Sequence, residues 1–193
     1  MPMTKTPRPL VISTRVRDER DDHHDATSLR RLVQGDRDAL ADLYDAHAAR
    51  LFRHRLALTR SRSDAEDLVQ AVFLKVATTG AALLAVRHPA NYLHRILRAA
   101  WIDVRRRPAT QWEKQADPEA DPPASDHGAA AEDAIDVARM LEQLPAVQRE
   151  IVALHLIEGF SFREAGRITG VSMFTAASRY RVALERLRER RGR

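Results

Sequence analysis

Between Asp36 and about Arg60, the positions Leu40, Leu43, Tyr44, His47, Leu51 and Leu58 recur at helical spacing, which predicts a long helix with one packed face. Arg60-Ser61-Arg62 interrupts the pattern. Ser63 then stands three residues before Glu66, the arrangement of a capping box that satisfies orphan amides at a helix start. The helix predicted after it carries Leu68, Val69, Val72, Phe73 and Val76 on one side and Asp64, Glu66, Asp67 and Gln70 elsewhere. Gly80 ends it, a loop runs through Arg87, His88 and Pro89, and a third helix follows from Asn91 to about Arg106. Its packed stripe is Leu93, Ile96, Leu97, Ala100, Trp101 and Val104, and Arg95, Arg98, Arg105 and Arg106 lie mostly off that stripe. Residues 1 to 27 show no helical period and read as a flexible tail, with helical signal starting at Ser28.

The pattern breaks at Pro108. From Glu113 to Asp133 seven acidic residues face the single Lys114, with prolines at 118, 122 and 123, so the segment lacks the apolar area to offset its chain entropy. Periodicity returns with Ile135, Ala138, Leu141 and Leu144, stops at Pro145, and resumes from Ile151 to Glu158-Gly159. Two further helices are predicted, Phe162 to Thr169 and Met173 to about Arg190, separated by Gly170-Val171-Ser172. The reading is all-α: a tail (1–27), a helical domain (28–107), a flexible acidic linker (108–133) and a second helical domain (134–193). Such a linker predicts that the two domains move independently in the free protein.

Composition agrees with helices, since only 5% of the 193 residues are aromatic and few β-branched side chains are available to cover a sheet. The absence of cysteine excludes disulfides, thiolate zinc sites and a cysteine nucleophile. No run reads as the roughly 18 apolar residues of a membrane span, and residues 1 to 27 lack the apolar core of a signal peptide. The expectation is a cytoplasmic protein without membrane insertion or cofactor.

Charge changes the picture most in the last fifty residues. The net charge of +5 for the chain is matched by Leu144 to Arg193 alone, where ten Arg stand against five acids. Within this segment, Ser161 to Arg179 has the parts of a helix-turn-helix: Gly166 where two helices cross, Gly170 for the turn, Val171 and Ala176 to hold the second helix, and Ser172 to cap it. Thr175, Ser178, Arg179, Arg181, Val182 and Arg186 belong to that second helix. Their hydroxyls and guanidinium groups suit phosphates and guanine edges, which favours DNA binding over a hairpin that only packs.

Other candidates have plainer explanations. Acids in a first helical turn, such as Asp64, Glu66 and Asp67, favour the helix dipole and have no nucleophile or phosphate loop beside them, so no catalytic residue is assigned. His47 and His54 lack the flanking ligands of a metal site and read as packing or surface residues, and His23-His24 falls in the tail. Trp101 could stack on an unpaired base, but its place among Leu97, Ala100 and Val104 favours a core role.

The motifs carry a resemblance. Leu144-Pro145-Ala146-Val147-Gln148-Arg149-Glu150, Glu158 to Glu164 and Thr175-Ala176-Ala177-Ser178-Arg179 resemble region four of small bacterial sigma factors of the extracytoplasmic-function class. Gly35-Asp36, Ala39-Leu40, Leu43-Tyr44 and Asp64 to Gln70 with Phe73 resemble region two, as does Asn91 to Ile96 with Trp101 to Arg106. The resemblance implies a non-catalytic subunit that directs core RNA polymerase to promoter DNA. It assigns polymerase docking to Asp64, Glu66, Asp67 and Gln70, the minus-ten element to the helix bearing Arg95, Arg98, Arg105 and Arg106, and the minus-thirty-five element to Thr175, Ser178, Arg179, Arg181 and Arg186. Family members are often restrained by an anti-sigma protein, so that partner is implied too. Ala71, Ala99 and Val182 depart from the family pattern, and a family promoter consensus therefore does not transfer directly. The alternative is a stand-alone helix-turn-helix regulator whose N-terminal helices dimerise or sense.

Overall fold

The computed structural model describes residues 19–106 and 139–191, with side chains for 22–106 and 139–189. Among these residues there is no strand. The acidic linker, the tail before Glu19, and Ile135 and Ala138 lie outside the described residues.

Four helices form the N-terminal half: α1 (Glu19–Val33), α2 (Asp38–Thr59), α3 (Arg62–Thr79) and α4 (Pro89–Arg106). Their apolar stripes meet in one core, with Leu43, Leu51, Val72, Val76, Leu93 and Leu97 almost fully buried. Burying each such side chain contributes about 1.5–3 kcal/mol before chain entropy is subtracted. The first helix starts at Glu19, earlier than Ser28, because polar side chains in it are buried against α2: Asp25 pairs with Nε2 of His47 at 2.7 Å. That contact gives His47 the packing role expected of it.

Two local expectations need correction. Ser61, not Ser63, caps α3, accepting from the Asp64 amide at 3.2 Å. Arg60 takes the left-handed conformation (φ 61°) that closes α2, which leaves Ser61 extended and places it at the cap. Glu66 instead pairs with Arg62 one turn back, at 2.8 Å. The stretch expected as loop after Gly80 is a 3₁₀ turn, Gly80–Ala85, that buries Leu83. Arg62–Ala85 is long and apolar enough to cross a membrane by length and composition. Its apolar side is folded into the core through Leu68, Val69, Val72 and Phe73.

The C-terminal half has a helical turn at 139–142, then α5 (Ala146–Val152), which widens into a π segment (Ala153–Ile157). Helices α6 (Phe162–Thr169) and α7 (Met173–Arg191) follow. The wide turn closes with the Glu158 amide donating to the Ala153 carbonyl, 3.1 Å.

The described halves pack along one seam. Ala57 of α2 joins a cluster with Leu141, Leu144 and Val152, and Ala90 of α4 joins one with Ile151, Leu154 and Phe160. An acidic, proline-rich linker allows motion but supplies no force for it, and these apolar contacts between the halves hold them together.

Candidate nucleic-acid and protein interfaces

The helix-turn-helix is built as its sequence predicts. Ser161 and Glu164 form a capping box, the Ser161 side chain accepting from the Glu164 amide and the Glu164 carboxylate from the Ser161 amide. Gly170 (φ 75°) closes α6 in the left-handed region. A Cβ on Gly166 would lie 2.7 Å from the Val171 carbonyl oxygen, so only glycine fits where the helices cross. Ser172 caps α7 by accepting from the Thr175 amide at 3.0 Å, and Ala176 is fully buried below.

On α7 the outward face carries Thr175, Ser178, Arg181, Val182 and Arg186, all exposed. Arg186 donates to Gln148 at 3.2 Å. Arg179 is only half-exposed and acts electrostatically on Glu150, so it faces the seam side of the helix rather than its outermost line. Phe174 is 78% exposed at the start of this helix. The sequence pattern gave it no role.

In α3, Glu66, Asp67 and Gln70 are exposed and Asp64 is half-buried. Burial, with the Asp67 charge beside it, raises the Asp64 pKa against the lowering hydrogen bond from Ser61. Asp64, Asp67, Leu68 and Ala71 of α3 and Ala100, Asp103 and Val104 of α4 line a surface groove. Four apolar side chains and three carboxylates make up that lining. A basic helix with an apolar edge fits that chemistry.

Along α4, Arg95, Arg105 and Arg106 are exposed, whereas Arg98 turns into the seam and pairs with Glu150 at 2.8 Å. Trp101 is half-buried, with the Arg55 guanidinium 4.2 Å above its ring and Arg105 at 5.6 Å. It packs against the core as expected, but its face is covered by cations. Arg55 is itself buried, which lowers its pKa to about 10. Burial raises the Glu150 pKa, opposed by Arg98, Arg55 and Arg179. One carboxylate thus faces an arginine from each helix assigned to promoter DNA.

The seam holds polar pairings between the halves that sequence reasoning missed, and it buries His54, which was read as a packing or surface residue. Glu158, 2% exposed, accepts from Arg50 through both its carboxylate and its backbone carbonyl. Asn91 donates to Glu164 at 3.4 Å, and Arg60 pairs with Glu142 at 2.6 Å. The His54 ring meets His94 edge-on at 4.8 Å, and His94 meets Phe160 likewise at 4.9 Å. Burial, reinforced by Arg55 and Arg50, lowers the His54 pKa to about 3. Its ring is therefore neutral, and its 3.8 Å approach to Glu158 is not an ion pair. The sequence marked Glu158 as an acid ending an apolar run and as the start of a stretch resembling region four, and neither signal pointed to a partner in α2.

A helical N-terminal domain with an acidic groove, joined to a basic helix-turn-helix, defines a transcription initiation factor of the sigma type. Known proteins agree. The sigma-70 region 2 family matches residues 43–111, and the sigma-70 region 4 family matches residues 134–187. The ECF RNA polymerase sigma factor SigM of Mycobacterium tuberculosis is 32% identical over 168 residues, covering 87% of this chain and 85% of that protein. The RNA polymerase sigma factor CarQ of Myxococcus xanthus is 31% identical over 172 residues, covering 83% of this chain and 94% of that one. Among solved structures, the sigma factor RpoE of Bartonella quintana, in complex with the anti-sigma factor NepR, superposes with a TM-score of 0.60 at 25% identity. That superposition covers 77% of this chain and 94% of RpoE. The chain belongs to the extracytoplasmic-function sigma factors, and it directs core RNA polymerase to promoters.

Proposed function

We propose that the protein divides this work among three outer faces and keeps the seam for holding itself together. The groove and acids of α3, Asp64, Glu66, Asp67 and Gln70, dock on the coiled coil of the polymerase largest subunit. Arg95, Arg105 and Arg106 of α4 attract the minus-ten DNA, with Arg98 joining once released from Glu150. Thr175, Ser178, Arg181 and Arg186, with Arg179 beside them, hold the minus-thirty-five element. The polymerase supplies the chemistry, the chain itself is non-catalytic, and it acts in the cytoplasm where polymerase and promoter are. An anti-sigma protein restrains it, in keeping with the complex that RpoE of Bartonella quintana forms with the anti-sigma factor NepR.

The observation that carries this reading is that exposed Asp67 and half-buried Asp64 line a largely apolar groove between α3 and α4, which among the described residues has no basic side chain of the other half lining it.

Reading both elements requires the seam to open. They lie about 25 base pairs apart, roughly 85 Å of duplex at about 3.4 Å per step. A compact chain of this length has a radius of gyration of only roughly 16 Å. Polymerase docking and DNA phosphates must therefore replace the carboxylates of Glu150 and Glu158 as partners for the arginines. The test is gel filtration of the purified chain with core RNA polymerase: co-elution and promoter-directed initiation are expected. A chain that stays apart from polymerase and binds palindromic duplex as a dimer would refute it.

A further inference from the structure

We infer that Phe174 is a specificity-determining residue that reads the C5-methyl group of a thymine in the upstream promoter element. The inference rests on the reading of α7 as the helix that enters duplex DNA, and adds to it a base and an atom.

Phe174 is the most exposed large apolar side chain among the described residues, at 78%. It takes no part in the apolar cluster beneath the motif, which is closed by Phe162, Val171, Ala176 and Tyr180. Packing therefore does not account for a phenylalanine here.

Its position does. Phe174 lies one turn before Ser178 and two turns before Arg181, both exposed, so the three form one line along the outward face of α7. The ring stands in the first turn of a helix whose start is fixed by the Ser172 cap. Helix-turn-helix proteins present base-reading side chains from this N-terminal part of the second helix.

Chemistry narrows the target further. A phenyl ring has no donor or acceptor and cannot use the hydrogen-bond code of base edges, and a phosphate offers it nothing. The one apolar group on the floor of the major groove is the thymine methyl. Thr175 and Ser178 beside it supply hydroxyls for a neighbouring base edge or phosphate, so the patch pairs an apolar reader with polar anchors.

The experiment uses the full chain bound to core RNA polymerase and a duplex selected from a pool with a randomised upstream element. Each thymine of that element is replaced singly by deoxyuridine, which removes only the methyl. One replacement is expected to weaken wild-type binding roughly fourfold, the transfer value of one buried carbon group. Phe174→Ala should bind both duplexes equally, and Phe174→Leu should keep part of the discrimination. Circular dichroism is expected to be unchanged for both variants, because the side chain touches no core.

The inference is overturned by wild-type binding insensitive to every deoxyuridine, or by a Phe174→Ala variant that retains the full methyl effect. If Arg181→Ala and Ser178→Ala still weaken the complex in those cases, the assignment of α7 to DNA stands and only the methyl contact falls. If no variant on the outward face alters DNA binding, the assignment of α7 falls with it. A Phe174→Ala variant that loses affinity for polymerase alone, with no methyl effect, makes the ring a protein contact and also overturns the inference.

Discussion

The seam between the two halves and the outer faces of α3 and α7 use charged and polar groups in opposite ways. In the seam, Glu158 is 2% exposed and meets Arg50, and Glu150 meets Arg98, Arg55 and Arg179. On the outer faces, Glu66, Asp67, Ser178 and Arg181 stand in solvent. Buried charges are tolerated only when paired, while exposed ones contribute little to folding. The difference separates charges that hold the protein together from charges left for partners.

Breaking the seam should have the largest effect on stability. Arg50→Ala takes the guanidinium from the buried Glu158 carboxylate, leaving His94 at 3.6 Å, and should cost roughly 3 kcal/mol, the low end for breaking a buried pair because Arg50 is itself partly exposed. Glu158→Gln removes the charge with little change of shape and should cost less. Urea unfolding of both variants checks the order, and equal costs would mean that packing, not charge, is what matters there.

Gly166→Ala tests the motif's internal packing. Its Cβ would meet backbone at 2.7 Å, so α6 and α7 must spread, at about 1–3 kcal/mol. Thermal unfolding should show the loss, together with weaker DNA binding.

The seam also predicts a pH dependence. The ordinary His54 pKa of 6.5 is lowered to about 3 in the folded protein, so below about pH 6.5 the unfolded chain binds a proton that the folded one excludes. Stability contributed by the neutral ring is complete above pH 6.5 and lost as pH falls toward 3. Between pH 7 and 5.5 the His54 share is about 1 kcal/mol. His54→Gln should remove that share from the slope of unfolding free energy against pH, and an unaltered slope would contradict the burial of the ring.

The outer faces should show the reverse. Arg181→Ala, fully on the outward line of α7, is expected to change stability by less than about 0.5 kcal/mol, the usual range for surface sites, yet to weaken upstream DNA binding, read by gel shift. If it relaxes preference at one base pair, Arg181 reads a base edge. A uniform loss over all sequences makes it a phosphate contact.

The helix-turn-helix was legible residue by residue because its determinants are local: Gly166, Gly170 and the Ser172 cap act within a dozen positions. The acids of α3 were legible for the same reason. The start of α3 was misplaced by two residues because Ser61 and Ser63 are equivalent on composition, and only the left-handed Arg60 decides between them. The seam was not legible at all. Arg50 and Glu158 are 108 positions apart, and helical periodicity says which face packs but not against which partner. The linker composition pointed to independent halves, since nothing in it encodes the small apolar contacts of Ala57 and Ala90.

The central claim, that outer charges serve partners, is tested most directly by the affinity of core RNA polymerase for the wild-type chain and for Asp67→Arg, measured beside their urea midpoints. Asp67 is exposed and lines the groove. Reversing it should weaken polymerase binding at least about tenfold, equivalent to about 1.4 kcal/mol, while the unfolding midpoint stays unchanged. Wild-type affinity in the variant would contradict the account, and so would a loss that merely follows a lowered midpoint.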